Sequence, residues 1–469
     1  MTVPKTRSEL PELSREELRK IEDETTRMEA SRRSADEAFQ MLDAKEAKDA
    51  ADQPRFNRRE VLGLIPASTL ALLAGSAPAQ TAQPDPAASA SAPWTVGPPV
   101  VQHLTTEGFA VSFSVGGLAT GWIEWGLSAE RLDRRATGSR AGLVQASDRA
   151  LVVPVALGDR GGPGRRIFYR AVAQPLKYEN AYKLHRGDPV VGPTYCLALP
   201  DPAAPRAKIA VVNDTHERLP TVRALAARVE AVQPEVLVWN GDTCASAFDV
   251  PADPARVLLR PAWAANRCLM FVPGNHDVRG ASARDVAACV APGPDVALPY
   301  NVARRWGPLA LLTLDTGEDK PDAHPVFAGT AAYEPYRARQ AAWLRDALRR
   351  PEIASAPFKV AFCHIPLRGL PKENDGTSLE GYAEWCGDGA KAWMPLLREA
   401  GVRLVVSGHT HAWRIDVPKD GLPMQVVGGG PEPGKATLTI LEADNQSLRV
   451  AIQDLSGAVL AEQRLPAGG

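Results

Sequence analysis

Five short apolar runs in the second half of the chain each end in residues suited to holding metal ions. Lys208-Ile209-Ala210-Val211-Val212 leads to Asn213-Asp214-Thr215-His216, and Val236-Leu237-Val238-Trp239 leads to Asn240-Gly241-Asp242. Leu269-Met270-Phe271-Val272 leads to Pro273-Gly274-Asn275-His276-Asp277. Lys359-Val360-Ala361-Phe362-Cys363 ends in His364, and Arg403-Leu404-Val405-Val406-Ser407 ends in Gly408-His409-Thr410-His411. Carboxylate and amide oxygens mixed with imidazoles suit Mn, Fe, Zn or a similar divalent ion, while the lack of clustered cysteine argues against structural zinc. Alternate residues of an extended segment point to the same side, so Asp214-x-His216 can place an oxygen and a nitrogen on one ion, and His409-x-His411 repeats the device. Asp242, with two oxygens, can bridge a pair of ions. A lone DxH or a lone histidine is most often structural. Five such pieces in order, holding five of the eight histidines, make the stronger case.

The elements that must position these residues follow from the same stretch. After Pro205 the apolar runs alternate with Ala- and Leu-rich stretches of helical spacing, such as Thr221 to Val232 and Arg337 to Arg349. That alternation predicts a layered α/β domain, whose ligand sites collect beyond the carboxyl ends of its strands. Glycines 241, 274 and 408 permit tight turns at those ends. Lys435 to Leu441, Ser447 to Gln453 and Val459 to Leu465 read as closing strands, and nothing repeats internally.

Jointly, DxH, GD, GNHD, an isolated His and GHxH resemble the calcineurin-like metallophosphoesterase family across residues 208 to 411. The resemblance implies an α/β fold, a layered metallophosphoesterase β-sandwich flanked by helices. It also implies two divalent or trivalent ions of Mn, Fe or Zn. Carried onto this chain, Asp214, His216, Asp242 and His411 hold one ion, and Asp242, Asn275, His364 and His409 the other. His276 is then the catalytic residue facing the scissile ester, as general acid or transition-state stabiliser. Two ions about 3.5 to 4 Å apart can polarise phosphoryl oxygens, generate a hydroxide near neutral pH and clamp an in-line displacement. No protein nucleophile is needed, and Cys363 and Cys244 have no evident cationic partner to lower their pKa. Asp277 is expected to hold its loop by an ion pair or to orient His276. Arg279, with Arg304 and Arg305, is expected either to clamp a phosphate or to lie in solvent. His324 reads as a surface residue, and Phe327, Tyr333 and Tyr336 as a candidate substrate wall. Purple acid phosphatases have DxG in place of the DxH here, and a ligand tyrosine where this chain has Ala245.

Ahead of this region, residues 97 to 200 carry short runs such as Ala110-Val111-Ser112-Phe113-Ser114-Val115, Gly121-Trp122-Ile123-Glu124-Trp125 and Arg166-Ile167-Phe168-Tyr169-Arg170, divided by Gly and Pro. Their spacing predicts a small all-β sandwich, with Trp122, Trp125 and Tyr169 in its core. The pattern is similar to the fibronectin type III-like domain that precedes the catalytic domain of purple acid phosphatases. The expected domains are thus 97–200 for the sandwich and 205–469 for the phosphoesterase. Residues 1–55 read as a charged helical or disordered extension, and 81–96 as an Ala/Pro/Ser linker. Between them, Arg58-Arg59, an apolar stretch from Val61 to Gly75 and Ala77-Pro78-Ala79 resemble a twin-arginine signal over 56–80, which implies export; a membrane anchor or a cytoplasmic location is the alternative. The apolar run is too short for a stable transmembrane span.

Across the 469 residues the formal charge is −1 and the pI about 6.7, which provides no global field for nucleic acid. Six scattered cysteines form no disulfide framework. The reading is a phosphatase or small-substrate phosphodiesterase whose partner is a phosphoester. A nuclease or phospholipid-directed diesterase, and a non-catalytic metal-binding surface module, are the alternatives. The lack of a basic stripe disfavours the nuclease.

Overall fold

The computed structural model describes residues 95–290, 295–369, 383–417 and 421–467. The expected extension 1–55, the signal-like segment 56–80 and nearly all of the linker lie outside the described residues.

Two sheets form the body of the region after Pro205, the region that carries the five motifs. In the first, Arg206–Val212, Val236–Asn240 and Cys268–Val272 run parallel, with Leu438–Asp444, Ser447–Gln453 and Val459–Pro466 added antiparallel on one side. In the second, Leu309–Thr313, Phe358–Phe362, Leu404–Ser407 and Met424–Val427 run parallel between antiparallel edge strands Ala303–Trp306 and Arg414–Asp416. Strands buried on both faces read as unbroken apolar runs, and the period of two then assigns each side chain to a layer. Ile209, Val211, Val236 and Val238 face the second sheet and pack with Leu311, Val360, Phe362 and Val406. Their neighbours Ala210, Val212, Leu237 and Trp239 face the opposite way and pack with Leu225 and Val229 of helix Leu219–Val232. Beyond the second sheet, Leu312, Ala361 and Val405 meet Leu344 of helix Tyr333–Arg349 and Trp393 and Leu397 of helix Ala383–Glu399. All the metal-suited motifs follow parallel strands. Parallel direction in both sheets therefore brings the five loops to one end of the sandwich.

The front segment is all β, and its strands divide between two sheets. Ala119–Gly126 and Arg166–Asn180 pair antiparallel in a separate seven-stranded sheet. Val100–Gln102, Gly108–Ser114 and Ala150–Ala156 instead extend the first catalytic sheet to nine strands, with Val101 paired in parallel to Cys268. Phe109, Val111, Phe113, Ile123 and Tyr169 join the same apolar cluster as Val211 and Phe362. The expectation of two consecutive modules thus does not extend to their hydrogen bonding or core, because strand periodicity says which face is buried but not which strand pairs with which. Trp122, Trp125 and Tyr169 are buried. The Tyr169 hydroxyl donates to the Ala265 carbonyl at 2.6 Å, and the Arg135 guanidinium sits 3.6 Å over the Trp122 ring.

Candidate active site

The loops leaving Val212 and Asn240 are zipped together by backbone bonds. Asp214 N–H donates to the Gly241 carbonyl at 2.9 Å and His216 N–H to the Asp242 carbonyl at 3.0 Å. Asn240 stitches this pair to the other sheet, its amide donating to the carbonyls of Cys363 and Val406 at 3.2 and 3.1 Å. The Gly408 N–H donates to the His364 carbonyl at 2.8 Å. Asp214, His216, Asp242, His409 and His411 all adopt left-handed backbone, with φ of 48°, 42°, 50°, 74° and 55°. Non-glycine residues held this way each cost on the order of 1–3 kcal/mol, so the surrounding hydrogen bonds and packing must enforce the conformation. Of the three glycines beside them, Gly241 takes the left-handed turn expected of it, at φ 86°, whereas the other two serve a different need. A Cβ at Gly274 would collide with Asp242 Oδ1, and one at Gly408 with Asp214 Oδ2, so close approach demands glycine at both positions.

Two groups of donor atoms result, with Asp242 common to both. Asp214, His216, Asp242 and His411 bring ligand atoms within 4.8 Å of one another, and so do Asp242, His364 and His409. In the first, His216 Nε2 lies 3.1 Å from His411 Nε2 and 3.5 Å from Asp242 Oδ2, and His411 Nε2 lies 3.4 Å from Asp214 Oδ1. His216 Nδ1 is 3.2 Å from the Ala245 carbonyl, which can only accept, so the ring proton sits there and Nε2 keeps its lone pair for the centre. In the second, His364 Nδ1 is 2.9 Å from the Asn240 carbonyl, and Nε2 lies 3.2 Å from Asp242 Oδ2. That Nε2 is fully buried and lacks an aligned hydrogen-bond partner. Asn275 Oδ1 lies 2.9 Å from His409 Nδ1, which brings the asparagine into this group.

The donor set fits cations. Burial is the largest single influence and opposes the charges of Asp214 and Asp242, but the surrounding histidines, His364 foremost, together hold both carboxyls below the usual range, Asp242 well below. In turn, burial works against a charge on His364, yet Asp242 and Asp214 push it up to about 10. Buried carboxylates converging on imidazole nitrogens, with His364 Nε2 unsatisfied, constitute a site for positive charge, which a proton on His364 supplies in part and a cation would replace. Asp214, His216, Asp242 and His411 would hold one ion, and Asp242, Asn275, His364 and His409 a second.

His276 stands beside these groups without belonging to either. Its ring lies edge-on to His216, with centroids 4.8 Å apart, and its Nε2 is 3.9 Å from Asp242 Oδ2. The backbone N–H donates to Asp242 Oδ1 at 2.9 Å, and Nδ1 is 3.0 Å from the Ser246 carbonyl. Ser246 therefore orients the ring. Asp277 does not: it is buried and accepts from Thr243 N–H and hydroxyl (2.9 and 2.6 Å), Cys244 N–H (3.2 Å) and Gly274 N–H (2.9 Å). It holds the loop as expected, but through three backbone N–H groups and one hydroxyl where an ion pair was anticipated. Those N–H groups have no other partner within the turn, and an unpaired buried donor is costly.

Arg279 fits neither of its expected roles. Its Nε donates to Glu318 Oε1, and its Nη2 to Glu318 Oε2 and Asp319 Oδ1, both at 2.9 Å. Arg304 and Arg305 lie on the edge strand Ala303–Trp306, bonded to the carbonyls of Ala303, Gly307 and Glu352. His324 caps a short 3₁₀ turn through Nδ1, and its ring meets Phe327 edge-on. Tyr336 donates to Asp315 at 3.1 Å, and Tyr333 packs against Gly317. Burial, followed by the charge of Asp277, pushes the Cys244 thiol well up, which leaves it un-ionised.

One loop escaped the sequence reading. Leu309–Thr313 leads to Asp315-Thr316-Gly317-Glu318-Asp319, the same apolar-run-then-acid signature as the five motifs but without a histidine. Ile365 N–H donates to Thr316 Oγ1 at 3.3 Å, and Arg337 bonds the carbonyls of Thr316 and Glu318, so this loop braces the His364 turn.

Facing sheets thus carry, at the carboxyl ends of their strands, a crevice lined by candidate metal ligands. Residues 207–413 match the family model of calcineurin-like phosphoesterases, and this match indicates a metal-dependent phosphoester hydrolase. Among solved structures it is similar to the purple acid phosphatase PPD1 from yellow lupin (Lupinus luteus) seeds. That match has a TM-score of 0.56 at 12% identity over 78% of this chain and 74% of that one, a likeness of fold that includes the front β region. Matches also include GAP50, the anchor in the inner membrane complex of Plasmodium (TM-score 0.39, 14% identity, 57% and 90% covered). Another is the phosphopantetheinyl hydrolase of Mycobacterium tuberculosis (0.30, 18%, 48% and 91%). No curated protein sequence matches.

Proposed function

We propose that this hydrolase is binuclear and cleaves a phosphomonoester or a small phosphodiester. The observation that carries this reading is the pair of ligand groups sharing Asp242, with His276 alongside but in neither. Bound there, the ions would polarise the phosphoryl oxygens and lower the pKa of water to near neutrality. The protein supplies the remainder. Asp214, which accepts the His409 N–H through both oxygens (3.1 and 2.9 Å), ties the two ligand loops together. Burial pushes His276 down to about 3, so the ring is neutral, with its proton on Nδ1 toward Ser246 and the Nε2 lone pair toward the crevice. An anionic phosphoryl group at Nε2 would supply the opposing charge that lets this nitrogen take up a proton and pass it to the leaving oxygen.

The purified protein, stripped and reloaded separately with Mn, Zn and Fe, should hold two ions and hydrolyse an aryl phosphate or a bis-aryl phosphate. The preferred substrate assigns monoesterase or diesterase activity. Metal content of one ion, or no turnover of either ester with any metal, would defeat the reading. Arg58-Arg59 and Ala77-Pro78-Ala79 support export by a twin-arginine route. Replacing both arginines by lysine should strand the precursor in the cytoplasm, and unchanged fractionation would refute that route.

A further inference from the structure

Asp319 is buried, and both of its cationic partners, Arg279 and Lys320, sit on only one of its two oxygens. Arg279 is already gripped by both oxygens of Glu318. A second carboxylate nevertheless enters the same pocket, with Oδ1 taken by Arg279 Nη2 at 2.9 Å and Lys320 Nζ at 2.8 Å. Its other oxygen, Oδ2, faces Asn275 Nδ2 from 3.5 Å, longer than an ordinary N–H···O bond, so that the contact is a weak, charge-assisted one. The opposite end of the Asn275 amide, Oδ1, lies 2.9 Å from His409 Nδ1, inside the Asp242–His364–His409 group.

An asparagine amide has two ends of nearly equal shape and opposite chemistry. Only the oxygen can bind a cation. Reversing Asn275 would bring its oxygen against the carboxylate of Asp319 and its NH₂ against the cation, which is repulsive at both ends. We infer that Asp319 is a positioning residue that fixes the Asn275 amide with its oxygen toward the second ion, Arg279 and Lys320 holding Asp319 in place. This rests on the binuclear reading above. Partners behind a ligand typically alter metal affinity by about 10–100-fold, because they set the orientation of the ligand before the ion arrives.

The test is a calorimetric titration of the metal-stripped full-length protein with Mn²⁺. Wild type should bind two ions. Asp319→Asn keeps the shape but can face Asn275 with either a donor or an acceptor, so it no longer selects one orientation. It should weaken one ion by about 10–100-fold and leave the other at wild-type affinity, with the unfolding temperature nearly unchanged. Asn275→Asp alone should also weaken that ion, since two carboxylates then face each other. The exchange Asn275→Asp with Asp319→Asn restores an oxygen toward the ion and a donor behind it, and should recover most of the lost affinity. Wild-type affinity for both ions in Asp319→Asn would overturn the inference while leaving the binuclear reading intact. An equal loss at both ions, unrelieved by the exchange, would do the same by reducing Asp319 to a structural part. Wild type binding a single ion would sink the binuclear reading and the inference together. If Asp319→Asn fails to fold, the exchange variant against Asn275→Asp alone decides the matter.

Discussion

Asn275 and His276 are neighbours in the chain, yet the backbone sends their side chains to different duties. Asn275 reaches His409, whereas His276 is turned by Ser246 to stand beside the crevice. His276→Ala should therefore leave two ions in place and lower turnover by about 10²–10⁴-fold, the usual range for a positioned acid or base. The loss should shrink for aryl esters, whose leaving groups need little protonation, so metal analysis and paired aryl and alkyl substrates check the prediction. Loss of one ion in that variant would make His276 a ligand. The residue types were legible because DxH, GD, GNHD and GHxH each advertise ligands. Ser246 was not, since it acts through its backbone carbonyl, which every residue carries, and so no side-chain pattern marks it. For the same reason Ala245 sits usefully against His216 although it lacks any functional side chain.

At the scale of elements, strand positions followed from apolar runs, but the loops beyond them depend on geometry that composition does not encode. Helix Leu219–Val232 ends on Gln233 in the left-handed region, at φ 50° and ψ 59°, with an exposed side chain. Glycine adopts this cap without the steric cost of a Cβ, so Gln233→Gly should stabilise the protein by about 0.5–1 kcal/mol, measured as a higher denaturant midpoint at unchanged slope. Asp315, on the loop that the sequence reading missed, offers a test by pH. Burial pushes it up from 3.8 to about 6, against the Gly317 N–H and Tyr336 hydroxyl that bond it. The folded state then holds the proton more tightly than the unfolded one. Its contribution is fully present below about pH 4 and is lost as pH rises through about 6, and at about 1.4 kcal/mol per pH unit this amounts to about 3 kcal/mol. Asp315→Asn can bond both partners without ionising. The stability of the variant relative to wild type should rise between pH 4 and 6 and level off above, and a difference that does not change with pH would refute the account.

At the largest scale, the described residues are joined by a sheet that passes from the front segment into the catalytic region. A fragment of residues 205–469 would uncover the edge of strand Cys268–Val272 and the apolar faces that pack on Val101, Phe109 and Tyr169. Exposed edges and apolar patches of this sort drive association, so the fragment should aggregate on gel filtration while the full chain does not. A monodisperse fragment that unfolds cooperatively would show the shared sheet to be dispensable. Metal removal acts at the same scale. Asp214 and Asp242 are buried like charges, and five of the candidate ligands sit in left-handed backbone. Cations that bind only the folded state should stabilise it by about 2.7 kcal/mol at a hundredfold excess over Kd. Chelation should lower the unfolding temperature, and adding Mn²⁺ back should restore it.

The candidate ligand types, their order, the apolar runs that precede them and the all-β character of the front segment were each determined by the sequence itself, because side-chain chemistry and strand periodicity are local properties. Which strands pair was decided only in three dimensions: nothing in Val100–Gln102 specifies Cys268 as its partner, since backbone hydrogen bonds are the same for every residue. The surroundings of Arg279 were decided there too. A charged side chain reads alike whether it meets water, a phosphate or Glu318 and Asp319, and its partners lie about forty residues along the chain, where only the packing of the two sheets brings them to it.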